Sequence, residues 1–176
     1  MKPVLSGSVV ITGLKHTETM LEDMWGILLI LAHPTLAIAL LFFMWRQYQW
    51  RGKRRLLRGE ELLEARRSHE IWGRRMLLLA CGIIVLGYAT NVVIMRGEYP
   101  WWRYALPFHV HGAFGTMGIG FLGAVHIYGL RTVKKREGGE SFHLTRTRHG
   151  RAADVVIFLA IIHAFIGVIY LIGILS

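Results

Sequence analysis

Six histidines carry the chemistry open to this chain: His33, His69, His111, His126, His149 and His163. Each lies in, or at the end of, a long apolar run. Imidazole is the commonest metal-binding side chain, and an ionisable group within an apolar span is costly and functional by default. Small residues accompany four of the six. Gly73 follows His69 by four positions, Gly115 follows His111, Ala37 follows His33 and Ala153 follows His149. Position i+4 lies one turn along on the same helix face. A small residue there leaves a bare face on which a flat macrocycle can rest, and a neutral imidazole beside such a face suits a haem iron. His109 points to another face than His111, and His16 and His143 lie in polar segments.

The elements that must position these rings are legible as four runs without Asp, Glu, Lys or Arg: Met24–Trp45, Met76–Met95, Tyr104–Leu130 and Val155–Ser176. Their lengths are 22, 20, 27 and 22 residues. About 20 apolar residues in a helix cross a ~30 Å hydrocarbon core. The fold class expected is all-α, an integral membrane four-helix bundle. Residues 1–23 are expected to form an outside N-terminal segment, partly helical, and residues 24–176 the transmembrane haem-binding domain. The third span, Phe108–Leu130, holds six glycines. Glycine costs a soluble helix about 1 kcal/mol relative to Ala, whereas in a membrane small residues permit close approach.

Depth sorts the histidines. At ~1.5 Å per residue, His33 and His111 fall at similar levels in the first and third spans, toward one side of the membrane. His69 and His149 begin the second and fourth spans, toward the other. Two bis-histidine sites follow, one per leaflet. A rival remains open: His111 with His163 and His126 with His149, so that the third and fourth spans supply every ligand. Zinc fits less well, since it wants three or four ligands at one point.

The formal charge of +10 is concentrated. Ten Lys/Arg lie in Arg46–Arg75 and seven in Arg131–Arg151, while Lys2, Lys15, Arg96 and Arg103 are the remainder. The positive-inside rule places both basic loops in the cytoplasm and both termini outside. Such loops set topology and meet anionic lipid headgroups, so no nucleic-acid partner is expected. Trp45, Tyr48 and Trp50 read as an interfacial belt, and Tyr99, Trp101, Trp102 and Tyr104 as a second. The single cysteine, Cys81, lies within the second span, and no CxxCH motif is present. Any haem would therefore be non-covalent. No basic n-region runs directly into an apolar stretch and cleavage site, so no removable leader is expected. No phosphate loop, HExxH or nucleophile elbow occurs.

The ordered set His33-Pro34, RRSHEIWG around His69, H-x-x-x-G at His111 and RTRHG at His149 resembles the cytochrome b561 family. The intervals between these histidines, 36, 42 and 38 residues, are similar to the family's one ligand per helix. The resemblance spans about Met24 to Ile174 and implies a four-helix core with two haem b groups, one held by His33 and His111 and the other by His69 and His149. It also implies basic side chains at the cytoplasmic haem, where Arg66, Arg67, Arg146 and Arg148 stand, for propionates or an anionic donor. Transmembrane electron transfer follows as the expected function, with a quinol, a small reductant or a redox partner subunit as donor or acceptor. A bacterial inner membrane is the expected location. The chain departs from the family in having the four-span core alone and in carrying His126 and His163. Two other functions remain open. One is a cytochrome b anchor subunit of a larger respiratory complex exchanging electrons with the quinone pool. The other is a non-redox transporter or assembly subunit whose histidines handle protons or metal.

Overall fold

The computed structural model describes residues 7–94, 100, 103 and 109–175, and the side chains of 24–92, 100, 103 and 109–173. The expected aromatic belt at Tyr99, Trp101, Trp102 and Tyr104 lies outside them, as does the side chain of His16. Helices are α1 (Gly7–Tyr48), α2 (Trp50–Leu56), α3 (Gly59–Ile94), α4 (Val110–Glu137) and α5 (His143–Leu175). Among the described residues, four stretches are long and apolar enough to cross a membrane: Met24–Leu56, Gly59–Val92, Val110–Glu137 and His143–Gly173.

The helices outrun the apolar runs that announce them. Residues 7–23 continue α1 without a break, and α1 passes through Pro34. The first basic loop, within Arg46–Arg75, is mostly helix across Gln47–Arg67. It is interrupted only at Gln49 and by an extended Leu57 before Gly59, whose φ of +54° a side chain would oppose. Arg, Leu and Glu are good helix formers, and Glu60 and Glu61 suit the positive N-terminal end of α3. The second basic loop shrinks likewise. Arg131–Glu137 belong to α4, which ends in a Schellman turn. There the Glu140 N–H donates to Lys135 O at 2.8 Å, the Gly139 N–H to Arg136 O at 3.2 Å, and Gly139 takes a φ of +68°.

The long helices close a ring in which α1 packs on α3, α3 on α4, α4 on α5 and α5 on α1. α1 and α4 are therefore diagonal, as are α3 and α5. The buried centre is small: Met76, Ala80, Leu122 and Val156 meet at mid-bundle, with Leu40, Met44 and Ile119 against them. Large apolar side chains cover the outside, among them Leu78 at 74% and Phe158 at 63% exposure, as a lipid-facing surface requires. Polar ties join the helices at one end. Arg136 of α4 donates to Glu70 of α3 at 2.5 Å, and Asp154 of α5 accepts from Tyr48 of α1 at 2.8 Å and from Arg51 of α2. Nearer the other end, Thr90 of α3 donates to Leu86 O at 2.9 Å and reaches Leu29 O of α1 at 3.4 Å.

Candidate functional site

The mid-bundle core separates two groups of histidines, and each group contains a pair that faces across the bundle from diagonal helices. His33 of α1 and His111 of α4 have ring centroids 6.1 Å apart at an interplanar angle of 90°. His69 of α3 and His149 of α5 have centroids 6.3 Å apart at 86°. The separation can be compared with what a shared metal would impose. A metal–imidazole bond is ~2.0 Å, and in a ring with ~1.35 Å bonds each nitrogen lies ~1.15 Å from the centre, so two imidazoles on opposite sides of one metal have centroids ~6.3 Å apart. Both pairs meet that spacing. Among the described residues no three His, Cys, Asp or Glu side chains gather to hold a metal ion by themselves. Each pair is thus a two-ligand arrangement, suited to a metal whose other ligands belong to a macrocycle.

One ring of each pair has its tautomer fixed by the backbone. His33 Nδ1 donates to Ile83 O at 3.1 Å, and His149 Nδ1 donates to Val125 O at 2.9 Å. A carbonyl can only accept, so the proton sits on Nδ1 and the Nε2 lone pair is left for a ligand, as in metal-bound histidines. His69 Nδ1, His111 Nδ1 and His163 Nδ1 are buried without a hydrogen-bond partner. Such groups are costly away from water.

Glycines make room for the rings, though from neighbouring helices. A Cβ on Gly87 of α3 would lie 2.8 Å from His33 Cε1, one on Gly167 of α5 2.8 Å from His111 Cε1, and one on Gly129 of α4 3.4 Å from His149 Cε1. The two carbonyl acceptors, Ile83 and Val125, each precede such a glycine by four positions. The receiving glycines carry a spacing: Gly87 is 18 residues beyond His69, Gly129 18 beyond His111, and Gly167 18 beyond His149. Eighteen residues are five turns at 3.6 per turn. On each of α3, α4 and α5, one face therefore bears a histidine at one level and a seat for a neighbour's histidine at the other. The rise of about 27 Å between them covers most of a ~30 Å hydrocarbon core. This H-x17-G pattern is the sequence signal that attention to i+4 overlooks.

The i+4 glycines themselves differ. A Cβ on Gly115 would approach His163 Cε1 to 2.9 Å, so the space beside His111 on α4 is taken by His163 rather than left bare. Gly73 has nothing within 4 Å of its would-be Cβ and faces a cavity. His163 stacks on His111 at 4.0 Å and 15°, too close for a metal between the two rings. His109 caps α4, its Nδ1 accepting from the Gly112 N–H at 2.9 Å, and its ring lies 5.1 Å from Tyr170.

The cavity, of about 940 Å³, occupies the arginine-rich end. His69, His149 and His126 line it together with Gly73, Arg66 and Arg146, whereas Arg67 and Arg148 do not. Trp50, expected among the lipid anchors, lines it too and stacks on His69 at 5.3 Å and 18°. A cavity this large is at the upper end of the usual range for small-molecule and cofactor sites. No protein-family model, curated protein or solved structure matches this chain.

Proposed function

We propose that this chain is a transmembrane electron carrier of the cytochrome b561 type, holding two non-covalent haem b groups. The observation that carries the reading is the pair of cross-bundle histidine couples, at 6.1 Å and 6.3 Å and at opposite ends of the bundle. His33 with His111 would hold one group, and His69 with His149 the other. The two haems would supply a one-electron iron couple near each membrane face.

The remaining work belongs to the chain. Ile83 O and Val125 O orient His33 and His149 with Nε2 available. Gly87, Gly129 and Gly167 let those rings and His111 lie against helix backbone, so that one rigid element positions another's ligand. Met76, Ala80, Leu122 and Val156 exclude water between the two sites. Arg66 and Arg146, each one turn from a cavity histidine, are placed to pair with carboxylates, which guanidinium binds bidentately. The positive-inside rule puts this arginine-rich end in the cytoplasm, in our reading of a bacterial inner-membrane protein. The partner in electron exchange is a quinol, a small reductant or a redox subunit.

A reduced-minus-oxidised visible spectrum of detergent-purified protein, with haem counted per chain, tests the proposal. A low-spin b-type band at two haems per chain is the expected result. A colourless protein after expression with ample haem would overturn it, leaving the histidines to protons or metal.

A further inference from the structure

The cavity at the arginine-rich end is more cationic than a haem requires. Among the described residues, eight arginines line it against two carboxylates, Glu70 and Asp154. Both carboxylates are already engaged, Glu70 by Arg136 and Asp154 by Arg51 and Tyr48. A haem bound with two ionised propionates would still leave four positive charges uncompensated. The excess is concentrated around Arg54 of α2, which has Arg146, Arg55, Arg51 and Arg66 as its charged neighbours. Three helices, α2, α3 and α5, thus bring like charges together at one mouth, an arrangement that repels itself unless an anion lies between them.

The position of the cluster narrows the anion. Arg66 and Arg146 each stand three residues, or ~4.5 Å along the helix, beyond His69 and His149. This is where apolar spans give way to basic sequence. Apolar side chains are exposed on the membrane side of the cluster, with Ile71 at 40%, Leu78 at 74% and Val155 at 40%. Basic pockets between transmembrane helices on the cytoplasmic side suit phosphate headgroups of anionic lipids, and guanidinium meets phosphate oxygens in a bidentate fork. A free phosphate would use the arginines alone; an anionic lipid would also pack its acyl chains on these apolar side chains, one or more turns further into the membrane.

We propose that Arg54 and Arg55, beside the Arg66 and Arg146 placed for propionates, form a site for the phosphate of one anionic phospholipid, whose acyl chains lie along the exposed apolar side chains on the membrane side of the cluster. The site does not depend on haem. Native mass spectrometry of the full chain, titrated with phosphatidylglycerol or phosphatidylcholine, tests it, with haem absorbance read on the same samples. One phosphatidylglycerol per chain is expected, at least tenfold tighter than phosphatidylcholine. At about fivefold per neutralised charge, R54Q/R55Q should weaken it roughly 25-fold. R54K/R55K, which keeps the charge, should bind within a few-fold of the parent and shows that the loss is not misfolding. K134Q/K135Q removes the same charge from the same end, outside the cavity lining, and should change binding less than twofold.

Equal loss in K134Q/K135Q and R54Q/R55Q would overturn the site in favour of a diffuse basic surface. Equal binding of phosphatidylcholine would overturn it as well. Displacement of the lipid by inorganic phosphate at equal concentration would assign the arginines to a soluble phosphate compound instead. Selective lipid binding by a colourless protein would leave this site standing and remove the haem proposal alone.

Discussion

The two ends of the bundle hold histidine couples of nearly the same spacing in opposite surroundings. At the arginine-rich end, His69 and His149 look into a 940 Å³ cavity lined by charge, and Trp50 covers one face of His69. At the other end, His33 and His111 share their neighbourhood with His163, His109 and Tyr170, and glycines on adjacent helices are filled by His33, His111 and His163. One end opens into a cavity bordered by charged side chains, and the other packs ring on ring. Histidine spacing is thus set separately from the electrostatic environment, and the latter is what would tune a redox group held there.

Removing single rings gives the largest effect. His69→Ala or His149→Ala should lower haem from two per chain to one and leave the His33–His111 spectrum intact, and His33→Ala or His111→Ala should do the converse. Haem content by extraction and the reduced-minus-oxidised spectrum check both. Haem stripped by His126→Ala and His163→Ala, but retained in His33→Ala and His69→Ala, would break the pairing.

Glycine substitutions sharpen the contrast. Gly87→Ala and Gly167→Ala each push a Cβ to 2.8 Å from a histidine ring. Overpacking of this kind costs about 1–3 kcal/mol, read as a lower thermal midpoint even in haem-free protein. A Cβ at Gly73 meets no neighbour, and the side chain of Gly73→Leu would extend into the cavity. It should leave the haem-free midpoint in place and lower occupancy at the His69–His149 site only.

Charge supplies a smaller difference. Cations favour the less positive ferrous iron, so the His69–His149 site should titrate at the higher potential. A unit charge ~10 Å away at an effective dielectric constant of ~20 is worth about 1.7 kcal/mol. Arg66→Gln or Arg146→Gln should therefore lower that potential by tens of millivolts and leave the other wave still, in a spectroelectrochemical titration. The smallest effect belongs to the ion pair between α3 and α4. Glu70 and Arg136 side chains are 18% and 27% exposed, between surface pairs worth 0–1 kcal/mol and buried ones. Glu70→Gln should cost about 1 kcal/mol in thermal unfolding, with haem content unchanged.

Much of the fold is present in the sequence because a bilayer leaves few choices. Four charge-free runs of 20 to 27 residues can satisfy their backbone polar groups only as helices, and four such helices are found. The levels of His33, His69, His111 and His149 are also local facts, since the rise per residue is fixed. The helix ends were less legible. Basic residues such as Arg54 and Arg131 look like loop by hydropathy, yet they are good helix formers and continue the turns.

Which ring meets which partner depends on the rotation and order of the helices about the bundle axis, and hydropathy carries neither. Gly115 and Gly73 look alike at i+4, yet the packing of α4 on α5 fills the first with His163 and leaves the second facing the cavity. Trp50 reads as a lipid anchor until the break at Gln49 brings it over His69. Sequence determined the number of spans, their lengths and the heights of the imidazoles, because each is a property of one helix. Tertiary structure alone decided the diagonal pairing, the glycine seats and the convergence of arginines from α2, α3 and α5. Each of those is a distance between helices, set by how side chains of several segments pack together.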